Sequence, residues 1–315
     1  MIPVRVAARV GVAHDIVRLD LEPLDGRALP AFTAGSHIDL VLANGLTRQY
    51  SLCGAPDRAG YAIAVLREEA SRGGSRYVHD SLVPGAELQI SAPRNLFQLE
   101  EDADAYVLIA GGIGITPLLS MAHRLTRLGK PFVLHYCARS QERAAFLDLL
   151  TSNLFAERVQ LHFSSDPASR LNLDEVLHSP GPGRRLYVCG PAGFMDFVTE
   201  GAAQRGWSSD RLHREHFAAA PVADGEDQAF DLVLASSGQT LRVGKDQTAA
   251  QALEAAGVFV PLSCEQGICG TCLTTVIEGE PDHRDLFQTD QEKATNQQFT
   301  PCCSRARSGS LTLDL

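Results

Sequence analysis

The stretch YVLIAGGIGITPLLSMAHRL, Tyr106 to Leu125, is a short apolar run, a glycine-rich turn and an amphipathic segment. A continuous apolar run of that length reads as a strand buried on both faces. Apolar residues returning every three or four positions after the turn read as a helix laid back on it. The same texture continues downstream. PFVLHYCAR and VQLHFSS read as further strands, a helix is expected around Ala144 to Leu150, and RRLYVCGPAGFMDFVTEGAAQ reads as strand, turn and helix. Such alternation predicts a parallel sheet with helices on its faces.

Residues 1–100 differ. VRVAARVGVAHDIVRLDLEP, HIDLVLA, RQYSLCG, YAIAVLRE and AELQISAP are short, partly alternating runs divided by Gly, Pro, Asn and Asp. That is the pattern of a small antiparallel barrel. On the other side, AAAPVADGEDQ (218–228) is small, acidic and without apolar periodicity, as an interdomain linker is. Beyond it, FDLVLASSGQTLRV, the helix-like TAAQALEAAG, a cysteine-bearing loop and the strand SLTLDL form a third, α+β unit. The expected domains are 1–100, 101–220 and 229–315, which suits a chain of 315 residues when domains run to about 100–150 residues each.

Composition excludes several classes. The apolar share of 44% and charged share of 21% are those of ordinary globular proteins. The 28 Lys and Arg against 38 Asp and Glu give a net charge of -10, which disfavours nucleic acid or an anionic membrane as partner. No run approaches the ~18 apolar residues of a membrane span, and Arg5, Arg9 and Asp15 break up the N-terminal segment where a signal peptide would need its apolar run. A cytoplasmic location is expected. In a reduced compartment clustered cysteines point to metal rather than disulfides, and five of the eight fall from Cys264 onward.

Those five carry the sharpest signal. CEQGICGTC places Cys264, Cys269 and Cys272 at C-x4-C-x2-C, with Cys302 thirty residues further on, a spacing that suits four thiolates on a [2Fe–2S] cluster. Gly267 and Gly270 fit a backbone that must wrap a cluster and bring its amides to the sulfurs. A zinc ribbon is the competing reading, but it calls for two close-spaced pairs, and the second pair here is the adjacent Cys302–Cys303. Cys53 and Cys137 read as buried structural thiols.

The motif resembles that of plant-type ferredoxins, and the resemblance widens along the chain. RQYS (Arg48–Ser51), RGGS (Arg72–Ser75), GGIGITP (Gly111–Pro117), YVCGPAGFM (Tyr187–Met195), EHF (Glu215–Phe217), CEQGICGTC and FTPCCSRA follow one another in the order of the phthalate dioxygenase reductase and vanillate O-demethylase reductase family. That resemblance spans essentially the whole length. It implies an FMN-binding barrel of the ferredoxin-reductase type, an NAD-binding α/β domain and a C-terminal β-grasp ferredoxin domain. It also makes Cys302, after Pro301, the fourth ligand, with Cys303 packed or outward.

On the residues alone, Arg48 offers a cation for a phosphate, Tyr50 a ring for a flavin face and Ser51 a hydroxyl for its edge. Arg72-Gly73-Gly74-Ser75 opens a helix-like segment whose amides suit a phosphate. The resemblance assigns Gly73, Gly74 and Ser75 to the FMN phosphate, sets Val65 and Arg67 along the flavin and Thr116 near it, and lays Phe217 over its outer face. Gly111, Gly112 and Gly114 follow a strand and open a helix, the context of a pyrophosphate turn without the G-x-G-x-x-G spacing. Cys189, Gly190 and Pro191 end another strand and are expected to close the same crevice; buried filler is the other reading of Cys189. Asp166 would repel a 2′-phosphate and favours NADH, while Arg170 argues the other way. Glu215 and His216 read as neighbours rather than acid–base groups, because hydride transfer to a flavin needs orientation more than proton abstraction.

The resulting expectation is an oxidoreductase passing electrons from NADH to FMN to [2Fe–2S] and on to a separate terminal oxygenase. By resemblance that oxygenase is a Rieske-type non-haem iron enzyme acting on an aromatic acid or ether. A haem monooxygenase is the alternative acceptor. An iron–sulfur or zinc binding protein without turnover is a third reading, opposed by the intact motifs. Docking is expected around Glu265, Gln266 and Ile268.

Overall fold

The computed structural model describes residues 1–178, 180–217 and 227–315. The chain divides into two compact units, Met1–Glu215 and His216–Leu315. The first carries two sheets. An antiparallel sheet is built from β1 (Ile2–Ala13), β2 (Ile16–Pro23), β3 (His37–Val41), β4 (Thr47–Ser51), β5 (Tyr61–Leu66) and β6 (Glu87–Ile90), with α1 (Gly74–Ser81) inserted between β5 and β6. Its order is β4-β3-β6-β1-β2-β5, and a bridge from Leu52 to Ile63 joins the two edges, so the sheet curls into the expected barrel. Val4, Val6, Leu19, Ile38, Leu40, Leu52 and Ile63 fill its interior.

The second sheet is parallel throughout. It contains β7 (Ala105–Gly111), β8 (Phe132–Ala138), β9 (Val159–Phe163), β10 (Arg184–Cys189) and β11 (Leu212–Glu215), with α2 (Ile115–Leu128), α3 (Leu147–Leu150), α4 (Leu173–Val176) and α5 (Ala192–Gln204) between them. The order is β11-β10-β7-β8-β9. The chain therefore steps outward from β7 through β8 and β9, then returns to the other side of β7. Ligands in such sheets collect at this reversal, outside the strand C-termini. Apolar cores lie on both faces of the sheet. One, with Leu118, Leu119 and Met121 of α2, also takes in Ile16, Ala34, Cys53 and Ala64 of the barrel, which is why barrel and parallel sheet form one compact unit. Each such fully buried leucine contributes about 1.5–3 kcal/mol.

One expectation changes. The helix around Ala144 to Leu150 shrinks to α3, because Phe146 adopts φ +64, a left-handed conformation that no helix interior tolerates. Barrel and parallel sheet cluster together as one compact unit. Of the expected linker, 218–226 lie outside the described residues; Asp227, just beyond, is held by Arg284 at 2.6 Å.

The second unit has β12 (Phe230–Leu234), β13 (Thr240–Val243), α6 (Ala249–Ala255), β14 (Thr274–Glu278), β15 (Pro281–Asp282), α7 (Asp290–Ala294), β16 (Gln298–Phe299), β17 (Arg305–Ala306) and β18 (Ser310–Leu313). Its main sheet runs β13-β12-β18-β14-β16, with β18 parallel to β12 at the centre. Thr248 starts α6 with a reciprocal capping box to Gln251. Leu232, Val243, Leu253, Phe299 and Leu311 make the core. Arg305 is buried and ties this frame together, donating to the carbonyls of Gln247, Gln228 and Gly244 at 2.8–3.0 Å. No helix among the described residues is long and apolar enough to cross a membrane.

Candidate functional site

Three clusters gather the residues that the sequence singles out. The first lies on the barrel at the N-terminus of α1. Gly73 takes φ +91, which favours glycine, and a Cβ on Gly74 would stand 2.6 Å from Cγ of Arg48, so the arginine lies across the helix start. Arg48 donates to the carbonyls of Thr47 at 2.7 Å and Arg72 at 3.4 Å. Ser71 Oγ accepts from the amides of Gly73 and Arg76, and the Ser75 hydroxyl donates to it at 3.0 Å. A cation and a set of first-turn amides thus face one place, a combination that suits a phosphate. Behind it, His79 of α1 bonds the Val65 carbonyl at 2.9 Å, and Arg67 pairs with Asp80 at 3.1 Å, so helix and β5 are clamped together. Tyr50 packs on the barrel core, and burial pushes its phenol up to about 12.

The second cluster sits at the reversal of the parallel sheet. Gly112 takes φ +54 with open space around it, whereas a Cβ on Gly114 would meet the Cys189 carbonyl oxygen at 2.3 Å. Cβ atoms on Gly111 and Gly190 would strike the Phe194 ring at 2.7 and 2.9 Å. The turns after β7 and β10 therefore touch backbone to backbone. Thr116 is buried, its hydroxyl donating to the Ile113 carbonyl at 3.0 Å, and Pro191 starts α5. Asp166 is exposed after β9 and accepts from the Ala168 amide at 3.0 Å, while Arg170 donates to the Ser164 carbonyl at 3.2 Å. Phe217 follows His216 at the start of the second unit and is exposed.

Barrel and sheet meet in a group that the sequence reading split. Cys189 and Glu215 are register partners on adjacent parallel strands, and the Ser51 hydroxyl donates to Glu215 Oε2 at 3.4 Å. Burial pushes Glu215 up to about 8, opposed by the Ser51 hydrogen bond, and burial with the nearby Glu215 charge holds the Cys189 thiol well above its usual range. Glu215, set aside as a neighbour, thus belongs with two residues named for the site.

A raised carboxyl has a sign. From its ordinary 4.5 to about 8, the native state keeps a proton that the unfolded chain has released, so this group's contribution falls as pH rises through that window. Glu215→Gln is therefore expected to flatten the decline. Melting temperatures compared at the two ends of the window check this, with the parent losing several degrees more than the variant.

The third cluster is the cysteine loop. Cys272 and Cys302 sulfurs stand 3.4 Å apart, and the Cys264 thiol is drawn down by hydrogen bonds from Cys269 and Cys302 and from the amides of Gln266 and Ile268. Among the described residues no three Cys, His, Asp or Glu side chains gather as a single-ion site. Cys264, Cys269, Cys272 and Cys302 converge as one group, Cys302 reaching both Cys264 and Cys272, which suits a cluster held by four thiolates, and amides aimed at sulfur are what stabilise one. The loop turns at Gly267 (φ +73) and Gly270 (φ +69); a Cβ there would meet Cys303 Sγ at 2.4 Å and the Phe287 ring at 2.4 Å. Cys303 is therefore packed beneath the loop, its thiol against the Thr300 hydroxyl at 3.3 Å. Glu265 is exposed at φ +55, and Gln266 and Ile268 are half-buried beside it. Burial pushes both Cys53 and Cys137 up to about 12, as inert structural thiols require.

Comparison with known proteins agrees with this geometry. Residues 232–307 match the 2Fe-2S iron-sulfur cluster binding domain, and 90–212 match the N-terminal domain of the dimethylamine monooxygenase subunit DmmA-like proteins. A vanillate O-demethylase oxidoreductase of Pseudomonas sp. is 53% identical over the full length of both chains. Among solved structures, phthalate dioxygenase reductase, described as a modular structure for electron transfer from pyridine nucleotides to [2Fe–2S], is 38% identical with TM-score 0.79 over 99% of this chain and 97% of its own. An intact type IV self-sufficient cytochrome P450 monooxygenase is 41% identical with TM-score 0.86 over all of this chain, which spans 41% of that one. With sheet order, crevice and converging thiols in place, the chain belongs to the family of the vanillate O-demethylase oxidoreductases and phthalate dioxygenase reductase, the oxidoreductase components of oxygenase systems.

Proposed function

We propose that this protein oxidises NADH at FMN and delivers electrons singly, through a [2Fe–2S] cluster, to a separate terminal oxygenase. The observation that carries the reading is the convergence of Cys264, Cys269, Cys272 and Cys302 in a chain whose other unit presents a glycine crevice at its sheet reversal. Bound FMN and cluster supply the redox chemistry, turning one hydride into two single-electron steps. The chain's own residues hold and orient. Gly73, Gly74 and Ser75 with Arg48 take the FMN phosphate; Tyr50, Ser51, Val65, Arg67 and Thr116 line the isoalloxazine, with Phe217 over its outer face. Gly111, Gly112, Gly114, Cys189, Gly190 and Pro191 cradle the dinucleotide, and Asp166 meets the ribose, where its charge disfavours a 2′-phosphate. Cys264, Cys269, Cys272 and Cys302 hold the cluster. The domain boundaries 1–100, 101–220 and 229–315 follow these three tasks. The free cysteines support a cytoplasmic setting.

The partner favoured is a Rieske-type non-haem iron oxygenase acting on an aromatic acid or ether, on the strength of the vanillate O-demethylase relative. A haem monooxygenase is the second reading, favoured by the likeness to the P450 chain. Anaerobic addition of NADH is expected to bleach flavin and iron–sulfur bands together, and NADPH to do so far more slowly. Flavin bleaching alone would break the proposed path, and equal rates would remove the role of Asp166. Reconstitution with each oxygenase type separates the two partners.

A further inference from the structure

The second unit buries a polar group that the electron path leaves unexplained. Residues 283–288 run beside the cysteine loop and touch it at both left-handed glycines. The Leu286 amide donates to the Gly267 carbonyl at 2.9 Å, a Cβ on Gly267 would stand 3.0 Å from Asp285 Cα, and the Phe287 ring closes over Gly270. The Asp285 side chain is 0% exposed and that of His283 9%. Oδ2 of Asp285 accepts from the Gln288 amide at 2.7 Å, and its main-chain carbonyl accepts from the Lys293 ammonium at 2.5 Å. Yet Asp285 Oδ1, both ring nitrogens of His283 and Gln288 Oε1 lack a hydrogen-bond partner. Among the described residues these three side chains hold four of the eight buried polar side-chain atoms in that state, so such atoms concentrate here. Native proteins satisfy such groups, commonly with ordered water. His283 Nδ1 and Asp285 Oδ1 face each other at 3.8 Å, too long for a hydrogen bond and suited to one shared water.

We propose that His283, Asp285 and Gln288 enclose a bound water molecule and act as a positioning unit for the cluster loop, with the Asp285 carboxylate biasing the cluster toward its oxidised state. The proposal rests on the reading that the four thiols hold a [2Fe–2S] cluster. Reduction adds one negative charge to the cluster, and a carboxylate buried against the same loop opposes it without the screening that water gives a surface charge. The Lys293 ammonium on the Asp285 carbonyl offsets part of that opposition. Through Gly267 the same segment fixes the turn that aims the Gln266 and Ile268 amides at Cys264.

Asp285→Asn keeps the shape and removes the charge. In the holoprotein, potentiometric titration is expected to show the reduced-to-oxidised cluster ratio at fixed potential raised about tenfold, ~59 mV upward for one electron. Cluster content and flavin reduction by NADH should stay as in the parent. A merely structural role would lower cluster content or melting temperature and leave the midpoint in place. A fully loaded Asp285→Asn protein with the parent midpoint overturns the proposal. Should the variant fail to load, a crystal structure of the parent holoprotein decides. Water between His283 and Asp285 Oδ1 supports the unit, and a dry enclosure with the two side chains in direct contact ends it. A parent protein without iron–sulfur absorbance would instead sink the function proposed above.

Discussion

Cys302→Ala is expected to abolish the iron–sulfur absorbance and the reduction of one-electron protein acceptors, while NADH still bleaches the flavin. Its neighbour provides the contrast. Cys302 faces Cys272 at 3.4 Å, whereas Cys303 Sγ lies under Gly267 and against Thr300. Cys303→Ala should therefore keep the cluster and cost on the order of 1 kcal/mol in packing. Iron content and visible spectra of the two variants check this, and a cluster that survives loss of Cys302 but not of Cys303 would reverse the ligand assignment.

The second large effect is expected at Gly114. A methyl group there would lie 2.3 Å from the Cys189 oxygen and 2.7 Å from the Gly190 nitrogen, both backbone atoms with no rotamer to yield. Gly114→Ala must push the two turns of the sheet reversal apart, at a cost of about 3 kcal/mol or more. It should also raise the KM for NADH sharply, because the crevice is made of those two turns. Gly112→Ala tests the other kind of glycine. Nothing stands within 4 Å of its new methyl, so only the left-handed backbone is penalised, by about 1–2 kcal/mol. Thermal unfolding with NADH-dependent flavin reduction ranks the pair; equal losses would mean that the touching turns carry no special weight.

What the sequence disclosed divides along physical lines. The cysteine loop and the glycine turn were legible because each is one short segment whose chemistry restricts residue type: sulfur for iron, no Cβ where two backbones meet. Strand and helix order was legible from periodicity. Glu215 was not, because its place beside Cys189 and Ser51 is set by the register of β11 on β10 and by the approach of β4, contacts between segments far apart in the chain. Nor was the end of the expected helix at Ala144, since one left-handed residue, Phe146, stops it and carries no signal of its own. Nothing in PDHRD sets His283 and Asp285 apart; only the fold shows them beside the cysteine loop with their side chains buried.

The position of β18 bears on how the protein is made. Ser310–Leu313 lies at the centre of the second sheet, parallel to β12, and both neighbours depend on it for hydrogen bonds. The barrel and parallel sheet can fold while translation proceeds, once Glu215 has emerged. The cysteine loop, some forty residues before Leu313, has an incomplete sheet behind it until β18 has been made and pairs with β12 and β14. A chain halted before Ser310 would thus offer iron–sulfur assembly machinery thiols without a scaffold.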